Sequence, residues 1–145
     1  MSQGPVEDRP GYLVKQVQLL LRGECDRRLR ADPAGVASMS QYAVLRALAD
    51  HPHASSAELA RLCFVTRQSL QDVLRGLRAA GFVTVGAATS GRARPVELTA
   101  TGRAALAVAH REVLDAEASM VAGMTQAAQD TLVRLLKACA RNLSR

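Results

Sequence analysis

Residues 66–83 read TRQSLQDVLRGLRAAGFV, and residues 91–102 read GRARPVELTATG. In the first stretch Leu70, Val73, Leu74 and Leu77 recur at helical spacing and form one apolar stripe. Arg67, Gln68, Gln71, Asp72, Arg75 and Arg78 fall mostly on the opposite side. This is an amphipathic helix with a long-armed polar face, opened by a Thr66 cap and stopped by Gly81. Beyond Gly81 the period shortens. Phe82-Val83-Thr84-Val85 reads as a strand, 86–94 as a turn and Val96-Glu97-Leu98-Thr99 as the returning strand, a hairpin with Arg92 and Arg94 near its tip.

Upstream, Ser55-Ser56-Ala57-Glu58 has capping-box spacing, so a further helix is expected over 55–62. Two helices this close, the second rich in Arg, Gln and Ser, make a helix-turn-helix pattern. Before it, Ser40 opens a periodic run through Tyr42, Val44, Leu45 and Leu48 that halts at His51-Pro52. A long helix over about 11–31 precedes that run and is broken by Asp32-Pro33-Ala34-Gly35, with residues 1–10 as a flexible lead-in. Downstream, Thr101 opens an Ala-rich helix to about 122, and Thr125 opens a last one bearing Leu132, Val133, Leu135, Leu136, Cys139 and Leu143. The chain is expected to be mainly α with one small β-hairpin.

At 145 residues and 48% hydrophobic, the chain has material for one packed core. Aromatics are only 3% and Trp is absent, so Leu, Val and Ala must do the packing. No apolar run approaches the roughly 20 residues of a membrane span, and the N-terminus lacks signal-peptide layout, so a cytoplasmic protein is expected, with no membrane partner. The net charge is +6 and the pI near 10.0. Most of the excess is local, because 61–94 holds six arginines against the single acid Asp72, a net +5. A solvated face would interleave signs, so phosphates are the expected counterpart.

The order of these elements, with Leu77 to Val83 and then an arginine before Leu98-Thr99 and Gly102, resembles the MarR (multiple antibiotic resistance regulator) family over nearly the whole chain. The resemblance implies a winged helix-turn-helix with N- and C-terminal dimerisation helices. It divides the chain into a flexible segment 1–10, a helical dimerisation region 11–35 and 101–145, and a DNA-binding region 36–100. It also implies a sequence-specific transcriptional regulator, a repressor, binding double-stranded DNA as a homodimer on a pseudo-palindromic site and released by a small-molecule effector or a redox signal.

On the DNA-binding face, arginine can pair with guanine and glutamine with adenine in the major groove, making Arg67, Gln68 and Gln71 candidates for base readout, with Arg75 on the same face. Ser55, Ser56, Thr66 and Ser69 carry short hydroxyls suited to phosphate oxygens; for Ser55 and Thr66 capping is the equal alternative, and both roles can coexist. Arg92 matches the family's wing arginine, with Arg94 as a second minor-groove or phosphate contact. Ser90 and Arg75 stand where the family often has acids that brace the wing. Asp72 stands where a base is frequent and would oppose phosphates unless it pairs with Arg75 or accepts from a cytosine amino group.

Cys25, Cys63 and Cys139 form no metal-ligand or disulfide spacing and read first as buried small apolar residues. The hydroperoxide-sensing branch of the family has its reactive Cys near the start of the first helix, whereas Cys25 falls near its end. Cys63, close to Arg61 and Arg67, has the better electrostatic case for a lowered pKa and is the redox candidate. His51, His53 and His110 lack partners for a metal site, and no cofactor is expected. No nucleophile-base-orienter arrangement suggests an enzyme. The competing expectation is a winged-helix module for protein interaction without specific DNA readout.

Overall fold

Among the described residues, five of the six α-helices begin at a hydroxyl. Ser38, Ser55, Thr66, Thr99 and Thr125 each accept a bond at 2.9–3.2 Å from the amide three residues on, which satisfies one of the donors a helix start leaves open. The computed structural model describes residues 4–87 and 95–145. After a 3-10 turn (Val6–Asp8) come α1 (Pro10–Arg30), α2 (Met39–Asp50), α3 (Ser56–Leu62), α4 (Arg67–Ala79), β1 (Val83–Val85), β2 (Val96–Leu98), α5 (Ala100–Met120) and α6 (Gln126–Leu143). β1 and β2 pair antiparallel, Val83 opposite Leu98 and Val85 opposite Val96. This is the expected mainly helical chain with one hairpin. Among the described residues no helix is long and apolar enough to cross a membrane.

Two starts differ from the sequence reading. α2 is capped by Ser38, not Ser40, and α5 by Thr99, not Thr101. The second shift has a tertiary cause. The Thr99 amide donates to the Phe82 carbonyl (3.0 Å), its hydroxyl donates to the Gly81 carbonyl (2.6 Å), and the same oxygen accepts from the Gly102 amide (2.9 Å). Gly102 must be glycine, because a Cβ there would lie 2.0 Å from the Phe82 carbonyl oxygen. Gly81, at φ +79°, ends α4 in a Schellman turn, with Phe82 N–H on Leu77 O (2.9 Å) and Gly81 N–H on Arg78 O (3.0 Å). One threonine thus fastens the end of α4, the hairpin base and the start of α5 together.

The core is aliphatic, as the composition requires. Leu45, Leu59, Leu70 and Leu77 are fully buried among Val36, Val44, Val83 and Cys25, with Tyr42 and Phe82 as its aromatic members. These residues join α2, α3, α4 and β1 to the end of α1 and to α5. The terminal helices contribute little to it: α1 buries only Cys25 and Leu29, and α6 buries nothing. Tyr12, Leu13, Val17 and Leu20 on α1 and Val133, Leu135 and Leu136 on α6 stay exposed.

Candidate nucleic-acid interface

α3 and α4 are joined by a three-residue turn plus the Thr66 cap. The turn is a second Schellman motif, Phe64 N–H on Arg61 O (3.2 Å) and Val65 N–H on Ala60 O (3.0 Å), which puts Phe64 in the left-handed region at φ +56°. α4 buries Leu70, Leu74 and Leu77 and exposes Arg67, Gln68, Ser69, Gln71, Asp72, Arg75 and Arg78. Arg61 at the end of α3 is exposed beside them. The structure therefore gathers Thr66, Arg67, Gln68, Ser69, Gln71 and Arg75 on one outward face, with Ser55 and Ser56 at the start of α3.

Asp72 does not confront a ligand as an unpaired charge. Its Oδ1 accepts from the Arg75 guanidinium and from Gln68 Nε2 (3.3 Å). This neutralises the one acid on the face, and it engages two of the residues assigned to DNA. Arg67 and Gln71 lie outside this triplet. The hydroxyls also divide. Thr66 Oγ1 accepts the Ser69 amide and spends its proton on Ser69 Oγ (3.0 Å), which leaves Ser69 with a proton to give outward. Ser55 accepts from the Glu58 amide at 3.2 Å and likewise keeps its proton, so capping and phosphate contact are compatible there.

At the wing the ladder extends past β1 and β2 through Gly86 N–H on Pro95 O (2.8 Å). Ser90, Arg92 and Arg94 lie outside the described residues. Burial pushes the Cys63 thiol up, opposite to the expected lowering, and among the described residues no cation offsets it. The electrostatic argument for a reactive thiol is thereby lost. Burial also raises Cys25, while Cys139 is exposed. Among the described residues no cluster of His, Cys, Asp and Glu can hold a metal ion.

Behind the hairpin, a cavity of about 790 Å³ opens between α2, α3, β2 and α5, lined among others by Arg46, His53, Ser55, Glu97, Arg103 and Leu106. Arg46 pairs with Asp50 at 2.6 Å, and Arg103 Nη1 donates to Leu98 O at 3.2 Å, so both cations hang from the walls by exposed contacts. Elsewhere along α2 and α5, the Tyr42 hydroxyl meets His110 Nδ1 at 2.8 Å and links the two helices. Neither this pair nor the Thr99 junction was read from the sequence. The Gln68–Asp72 bond, by contrast, was available from its i,i+4 spacing.

A helix-turn-helix with an exposed basic and amide-bearing second helix, followed by a two-stranded hairpin, defines the class: a winged helix-turn-helix protein. A sequence profile described as MarR family matches residues 35–93. The HTH-type transcriptional repressors Rv2887 of Mycobacterium tuberculosis and Mb2911 of Mycobacterium bovis are each 40% identical over 136 residues, 92% of this chain and 96% of theirs. The solved structure of Rv2887 in complex with DNA superposes with a TM-score of 0.73 at 35% identity, covering 94% of this chain and 98% of that one. Its complex with p-aminosalicylic acid gives 0.73 at 37% identity, covering 91% and 98%. BpsR of Bordetella bronchiseptica, at 19% identity, shares the fold with a TM-score of 0.81 over 96% of this chain and 98% of its own. The chain belongs to the MarR family.

Proposed function

We propose that this protein is a cytoplasmic transcriptional repressor that binds a pseudo-palindromic operator in double-stranded DNA as a homodimer and leaves it when a small aromatic acid binds. The observation that carries the reading is the outward face of α4, where Arg67 and Gln71 stand ready and the one acid is already neutralised by Arg75 and Gln68. Arg67 and Gln71 read base edges directly, while Gln68 and Arg75 do so after exchanging Asp72 for the groove. Ser55 and Ser69 hydroxyls give their remaining protons to phosphates, and Arg92 and Arg94 reach the minor groove from the wing.

Residues 36–100 form the DNA-binding region, and 11–35 with 101–145 the dimer platform. The unburied apolar residues of α1 and α6 support the platform, since a second copy would cover them. Twofold symmetry then sets the two α4 helices about 34 Å apart, one turn of B-DNA. The 40%-identical relatives are named as repressors, and Rv2887 has been solved with DNA, salicylic acid and p-aminosalicylic acid. By that analogy the cavity behind the hairpin takes a carboxylate against Arg46 or Arg103.

Selection of binding sites from random duplexes, followed by footprinting, tests the reading. A short inverted repeat is expected, with Arg67→Ala weakening it and salicylate or p-aminosalicylate releasing it. Binding indifferent to sequence and abolished by moderate salt would instead indicate a protein-interaction module.

A further inference from the structure

Phe64 is the most exposed large apolar side chain among the described residues, at 96%, and it sits in a backbone region that side chains avoid. A bulky residue at positive φ is a genuine outlier, and glycine would make the same Schellman turn without strain. Neither packing nor folding accounts for a phenylalanine here, because the ring touches almost nothing of its own chain and the turn would be better without it. Its surroundings narrow the alternatives. It lies two residues before the Thr66 cap, at the α4 end that carries Arg67 and Ser69, and Arg61 at the close of α3 is also exposed. Leu62, two residues earlier, is the nearest exposed large apolar residue in sequence. An apolar ring among arginines suits a surface that is polyanionic yet carries apolar patches. Duplex DNA is such a surface, with phosphates flanking deoxyribose faces and, in the major groove, thymine methyl groups.

We propose that Phe64 is a DNA-contacting residue that lays its ring on the deoxyribose or thymine-methyl surface at the edge of the groove α4 enters, adding contact area that no charge supplies. This rests on the DNA-binding reading above. It makes a prediction that a purely structural residue would not: stability and affinity move in opposite directions.

The experiment uses the full chain and the operator selected from random duplexes, with thermal unfolding and fluorescence anisotropy across a salt series. Phe64→Gly relieves the turn, and Phe64→Asn keeps a residue tolerant of positive φ while removing the ring. Both are expected to bind about tenfold more weakly at every salt concentration, with parallel salt slopes because no charge is lost. Phe64→Gly should melt no lower than the parent, and Phe64→Tyr should retain binding. Putting uracil in place of thymine in the operator closes the gap between parent and F64G if the methyl group is the contact, and leaves it open if the sugar is; either result keeps the ring on DNA. Parent-like affinity of F64G and F64N, alongside an Arg67→Ala variant that does lose binding, overturns the proposal. If the parent shows no sequence preference, the DNA-binding reading fails and this contact fails with it.

Discussion

Asp72 offers the sharpest handle on how the α4 face meets DNA. Its carboxylate holds Arg75 and Gln68, and all three side chains are exposed. An exposed i,i+3 pair of this kind contributes at most about 0.5 kcal/mol to stability, so Asp72→Asn should leave unfolding almost unchanged. The effect on DNA is larger. Removing the carboxylate frees one guanidinium, which on a random duplex takes a phosphate in place of the base edge it reads in the operator, and each such contact steepens the dependence of log K on log salt by about 0.9. At about 0.1 M salt that amounts to roughly eightfold tighter binding to a random duplex, shrinking by about 3.5-fold between 50 and 200 mM. Fluorescence anisotropy with a random-sequence duplex at several salt concentrations measures both quantities. If affinity and slope stay at parent values while Arg67→Ala lowers the slope, Arg75 does not face phosphates and the reasoning is refuted.

Other expectations follow from the fold. Gly102→Ala drives a Cβ into the Phe82 carbonyl and breaks the Thr99 cap, so a loss of about 3 kcal/mol and a Tm drop of roughly 10 °C are expected by calorimetry. Arg27 and Arg28 hold the Glu24 carboxyl down at about 2 from its ordinary 4.5. That contribution is complete above the ordinary value and is lost as pH falls from 4.5 towards 2, so Glu24→Gln should lower stability in full at neutral pH and progressively less through that window, flattening the acid limb of the stability curve in chemical unfolding at a series of pH values. Leu20→Glu on the uncovered face of α1 should yield monomers in sedimentation experiments and weaken operator binding; a dimer that persists would place the platform elsewhere.

Where signals were local, the sequence was readable. The α4 stripe, its Thr66 cap and its Gly81 stop rest on contacts within a few residues, and the structure has them where spacing puts them. Thr99 was misread because two threonines two residues apart are equally good caps locally; the choice is made by Phe82 and Gly81, brought close only by the folded hairpin. For Cys63 the neighbouring arginines are visible in sequence, while the burial that raises its thiol is not. Phe64 was passed over because an aromatic beside Cys63 and Val65 reads as core, while a left-handed turn is normally announced by glycine. The base-reading roles proposed for Arg67, Gln68 and Gln71 rest on chemistry legible in the sequence and on the exposure the structure shows.

The Thr99 junction has a mechanical consequence. Because one hydroxyl group bridges Gly81 and Gly102, α4 cannot turn independently of the base of α5. α5 has 21 residues and, at about 1.5 Å per residue, is roughly 30 Å long. Treated as a rigid lever pivoting near one end, it moves the other by about 3 Å for a tilt of only about 5°. That displacement is nearly one base step of the duplex, about 3.4 Å. A strain too small to disturb the core can thus put a reading head out of register with its text.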